Sequence, residues 1–153
     1  MPDIIKAEKS QPTAEWLHKF YKCGRVHLHG LDNEVCDMPF SFDHLAMMIP
    51  LPNIYAVVKT ETDGYHHHVF KGSAYLKAMF DFMDGSTATS TTFFEKMNGM
   101  KFSELPNVMQ RHLITNTFCF CKYSIGNNEV QEIIKIASVI NPHSQESLKL
   151  VLT

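Results

Sequence analysis

Histidine is the residue in this chain best suited to chemistry: nine occur among 153 residues, and they are unevenly placed. His27 and His29 flank Leu28, and His66, His67 and His68 run together. On an extended strand alternate side chains share a face, so His27 and His29 can offer their rings to one ion. The triplet follows Asp63-Gly64, a pair that favours a two-residue hairpin loop because both loop positions need positive φ. With that loop, Thr62 pairs with Tyr65, Glu61 with His66, Thr60 with His67 and Lys59 with His68. Glu61, His66 and His68 then share one face of the ribbon, and His67 takes the other. Imidazoles and a carboxylate are the donors of zinc and non-haem iron sites. The candidate metal ligands are therefore His27, His29, Glu61, His66 and His68, and the candidate ions are zinc or iron. Two features argue for a plain structural role instead. Lys59 opposite His68 would repel a cation, and a solvated hairpin tip explains a polar triplet without a ligand.

The run His27-Leu28-His29, with Glu34 five residues on, resembles the first metal-binding motif of the cupins over those eight residues. The glycines that flank that motif are missing here, no second motif follows, and several predicted helices do not suit a cupin barrel. Cys119-Phe120-Cys121 places two thiols on one strand face, without the C-x-x-C spacing of a structural zinc site. Asp43-His44 has no Ser or Cys beside it in a nucleophile motif. The loop from Gly85 to Thr92 lacks the lysine of a phosphate-binding loop. No residue pattern names a reaction.

The second chemical feature is soft and apolar. Met79, Met83, Met97, Met100 and Met109 fall near Phe80, Phe82, Phe93, Phe94 and Phe102. Such side chains fill irregular cores and also line adaptable grooves. Phe93 and Phe94 are adjacent, so a helix can bury both rings only behind a broad apolar face. The functional expectation is thus a small binding or regulatory domain. Met79, Phe80, Met83, Phe93, Phe94 and Met97 would border a homodimer contact, a protein partner or a pocket for an apolar small molecule. The metal-binding protein or metalloenzyme built on the sheet histidines is the alternative.

These residues need elements to hold them. Thr13 is placed to cap a helix over 14–21, with Trp16, Leu17, Phe20 and Tyr21 as its stripe and Gly24 as its stop. Residues 25–29 alternate like a half-buried strand, and 41–48 form a short helix before Pro50. Residues 54–62 and 65–70 form the hairpin, and the spacing from Tyr75 to Met83 is helical. Thr92-Phe93-Phe94-Glu95 resembles a capping box opening a further short helix. Ser103 begins another, facing inward through Leu105, Val108, Met109, His112 and Leu113. A strand over 117–124, a helix over 129–140 and a final strand over 148–152 complete the order. That order suggests one α+β domain spanning 1–153, an antiparallel sheet with helices mainly on one face.

Composition sets the outer limits. The chain is 44% hydrophobic and 20% charged, the balance of a folding globular domain. Fourteen Lys and Arg face sixteen Asp and Glu, and no two basic residues are adjacent, which disfavours nucleic-acid binding. No apolar stretch approaches the roughly 18 residues of a membrane span. The start, Met1 to Glu8, has no secretory pattern, and the four cysteines fit free thiols in a reducing cytoplasm. Protonating all nine histidines would carry the net charge from −2 to +7.

Overall fold

The computed structural model describes residues 7–31, 40–47, 49–91, 94–124, 130–142 and 145–152. Glu34, Cys36, Thr92 and Phe93 fall outside that set. The elements in order are β1 (Ala7–Ser10), α1 (Ala14–Lys22), β2 (Val26–Leu28), α2 (Phe42–Ala46), β3 (Ile54–Glu61) and β4 (Gly64–Lys71). They continue with α3 (Ser73–Met83), α4 (Asn107–Ile114), β5 (Phe120–Ser124), α5 (Val130–Ile140) and α6 (Gln145–Leu152).

The strands form one sheet in the order β1-β5-β3-β4-β2. β1 with β5 and β3 with β4 are antiparallel. β3 with β5 and β2 with β4 are parallel. The sheet is therefore mixed, correcting the expected antiparallel one. The reason is the connections: only β3 and β4 are joined by a tight hairpin, and the helical crossovers elsewhere are long enough to bring strands back in the same direction.

Helices cover both faces. On the first, Leu17 of α1, Phe42 and Leu45 of α2, Leu76, Met79 and Phe80 of α3 and Leu113 of α4 bury Val26, Ile54, Ala56, Val69 and Phe120. On the second, Ile133 and Ala137 of α5 with Leu148 and Leu152 of α6 bury Val57 and Phe70. α6 stands where a final strand was expected. Leu148 and Leu152 are buried while Leu150 is 85% exposed, the pattern of i and i+4 on a helix; a strand would send all three one way.

Local signals account for most boundaries. Thr13 Oγ1 accepts from the Trp16 amide at 3.1 Å and opens α1. Gly72, at φ +93°, turns β4 into α3, and a Cβ there would stand 2.3 Å from Ile54 Cδ1. The short helix expected after Thr92 is a single 3-10 turn, Glu95–Met97. It is preceded by Thr91, whose hydroxyl accepts from the Phe94 amide at 3.1 Å. Pro106, not Ser103, stands at the start of α4, and Val108 on that helix is 83% exposed rather than inward.

Candidate functional site

The hairpin register decides the geometry of the histidines. Glu61 pairs with Gly64, Lys59 with His66, Val58 with His67 and Val57 with His68. The loop residues are thus Thr62 and Asp63, one position earlier than the Asp63-Gly64 loop expected. Arg25 braces this turn: its guanidinium donates to the Asp63 carbonyl and lies 3.3 Å from where a Gly64 Cβ would stand. The slip moves each pairing by two residues, so faces are retained while partners change. Val57, instead of Lys59, now faces His68.

β2 lies beside β4, with His27 opposite His68 and Val26 opposite His67. His27, His29, His66 and His68 therefore occupy the second face of the sheet, on strands beside the part covered by α5 and α6. His27 stacks on His68 at 4.5 Å between ring centroids and on His66 at 5.1 Å. His27 Nε2 lies 2.8 Å from His66 Nδ1, and His29 Nε2 lies 2.9 Å from His68 Nδ1. Each such contact needs one ring to donate and the other to accept, so at least one partner in each pair is neutral at that nitrogen.

These rings are not a solvated tip. His66, His67 and His68 are only 7%, 8% and 3% exposed. Burial is the leading cause that lowers the proton affinity of His27, followed by the positive charge of His66 when protonated. The same desolvation, reinforced by His27, holds His29 down to about 4. It holds His68 down to about 3, with His27, His29, His66 and Lys59 adding to it. His68 Nε2 is buried without a hydrogen-bond partner.

At the outer end of the column the environment changes. His66 Nε2 is 2.7 Å from Asp63 Oδ1 and 3.6 Å from Glu61 Oε2. This hydrogen bond is the main cause that lowers the Asp63 carboxyl below its usual range. Among the described residues, Glu61, Asp63 and His66 are the one group of three or more potential ligands whose donor atoms lie within 4.8 Å of one another. The structure thus brings together Glu61 and His66 of the five expected ligands. It leaves His27, His29 and His68 in hydrogen-bonded pairs behind them. Asp63 joins the group unannounced, because as half of a turn signal it is already accounted for. Its place three residues before His66 is the only hint.

The apolar candidates lie on the opposite side of the sheet. Met79 and Phe80 are fully buried, and Met83, Phe94 and Met97 pack partly buried against the same core. Phe94 meets Phe42 edge-on at 5.8 Å. Beside them an open cleft of about 620 Å³ is lined by Phe40, Phe42, Ala78, Asp81 and Phe82 together with residues 87–90. The described cysteines Cys23, Cys119 and Cys121 are free thiols. Among the described residues no helix is long and apolar enough to cross a membrane. Comparison with family models, with curated proteins and with solved structures returns no match to this chain.

Proposed function

We propose that this chain is a metal-binding protein whose hairpin tip holds zinc or iron through His66, Asp63 and Glu61. The observation that carries the reading is the convergence of one imidazole and two carboxylates within 4.8 Å. Nitrogen and carboxylate donors at about 2.0–2.2 Å from zinc stand roughly 3.3 Å apart in a tetrahedron. The 3.6 Å between His66 and Glu61 already suits that spacing. The 2.7 Å between His66 and Asp63 is a hydrogen bond that the ion would replace. Glu61 and Asp63 are exposed, which leaves the remaining coordination positions to water.

His27 supports this arrangement from behind. A metal-bound imidazole usually donates its second N–H to a fixed acceptor. With an ion on His66 Nε2, the proton sits on His66 Nδ1 and points at His27 Nε2, 2.8 Å away. Burial disfavours the charged form of His27, which suits it to accept. Lys59, 3.8 Å from Glu61, competes for that carboxylate.

Tag-free protein titrated with zinc, or with cobalt(II) as a spectroscopic substitute, tests the reading. One ion per chain is expected, abolished in His66→Ala and weakened about 10-fold or more in Asp63→Asn, while His68→Gln retains it. Equal binding by wild type and His66→Ala would sink the proposal.

The cleft supports a second reading, in which an apolar small molecule sits against Phe40, Phe42 and Phe82. Its volume of about 620 Å³ falls within the range of small-molecule sites. Met79 and Phe80 would shape it from within the core, and Phe94 through its contact with Phe42.

A further inference from the structure

A second cavity, distinct from both the hairpin tip and the cleft, opens where β1 runs into α1. It encloses about 360 Å³ and is lined by Ser10, Gln11, Thr13, Trp16, Phe120 and Lys122, with Pro12 completing the rim. Its walls are two aromatic rings, Trp16 from α1 and Phe120 from β5. Its one charged lining residue is Lys122, itself partly buried.

Among the described residues the Lys122 ammonium has no partner of its own. Glu8 sits opposite Lys122 across the β1–β5 pair, yet among the described residues no carboxylate lies within 4.0 Å of it. Glu15 in the first turn of α1 is exposed and does not line the cavity. The amino end of α1 borders the cavity through its cap, Thr13, and presents the positive end of the helix dipole.

Behind the aromatic walls stands a buried polar group that the hairpin site does not use. His67 meets Trp16 edge-on at 5.7 Å and Phe120 at 5.9 Å, on the face opposite the other sheet histidines. It is 8% exposed and its Nδ1 has no hydrogen-bond partner. The rim is also held in place before any ligand arrives. The Phe118 amide donates to the Pro12 carbonyl at 3.0 Å, and the Ala14 amide donates to the Asn116 carbonyl at 2.8 Å.

We propose that this cavity binds a small planar organic anion, an aryl carboxylate, with its ring between Trp16 and Phe120 and its carboxylate on Lys122. The hydroxyls of Ser10 and Thr13 and the amide of Gln11 supply the remaining polar contacts. A cation set among aromatic rings selects against neutral and cationic ligands of the same shape. The site is independent of metal binding at the hairpin tip.

Trp16 is the only tryptophan in the chain, so all tryptophan emission comes from a wall of this cavity. Wild type titrated with 4-fluorobenzoate should show saturable change in Trp16 emission and in the ligand's fluorine resonance. The isosteric neutral 4-fluorobenzamide should bind at least about 10-fold more weakly, as expected for loss of one charged hydrogen bond. Lys122→Met should weaken 4-fluorobenzoate to the same degree, Lys122→Arg should retain it, and His66→Ala should leave it unchanged. Equal binding of the two ligands to wild type overturns the proposal, as does absence of saturation with either. That comparison needs no substitution, so it decides the matter even if Lys122→Met fails to fold.

Discussion

His29, His67 and His68 are held neutral by burial, and this has a consequence for stability that their number alone would not predict. In an unfolded chain histidines take up protons below about pH 6.5. In the folded chain His29 and His67 do so only near 4, and His68 near 3. Between those limits the unfolded state binds more protons, so folding stability falls as pH falls. Each fully shifted group contributes a slope of up to about 1.4 kcal/mol per pH unit, less where solvent reaches the ring. The melting temperature should therefore be highest at or above pH 7 and should decline steeply between about pH 6.5 and 4.5. A His68→Gln variant should show a shallower decline. Superimposable profiles for the two proteins would refute this account. The leading cause is desolvation on the sheet, and repulsion from neighbouring charged groups adds to it.

At the scale of elements, α6 is the informative case. Its residues alternate in a way that also reads as a strand, and only contact with α5 selects the helix. Leu148 and Leu152 enter the cluster with Ile133, Ala137, Val57 and Phe70, and Leu150 points to solvent. Leu148→Ala should cost about 2–4 kcal/mol, the usual penalty for emptying a buried leucine site. Leu150→Glu should fall within about 0.5 kcal/mol of wild type. Chemical denaturation of both variants separates the alternatives, because a strand would make the two leucines equally costly. The hairpin teaches the same lesson in register: the Asp-Gly signal located the turn, and the Arg25 side chain, just before β2, holds the turn formed by Thr62 and Asp63.

At the scale of the molecule, the Met- and Phe-rich half is wound into the larger core. Phe94 packs on Phe42 and Met97 on the same cluster, so Phe94→Glu should lower the melting temperature by several degrees as well as disturb any association. Light scattering together with thermal melting distinguishes the two effects. A halved mass at unchanged stability would mean that Phe94 belongs to a subunit contact. The sequence by itself determined the α+β class, the hairpin, the helices α1, α3 and α5, and the sharing of one face by His66 and His68. Periodicity and capping are local, and a side chain's face depends only on parity along the strand. The tertiary structure alone decided that the sheet is mixed, that β2 docks beside β4, and that His27 therefore stacks on His66 and His68 while His29 hydrogen-bonds to His68. It also decided that Glu61, Asp63 and His66 converge while the other histidines pair behind them. Parallel neighbours are chosen by where long crossovers return, and burial by which helices cover each face, so neither quantity is encoded within a short window of residues.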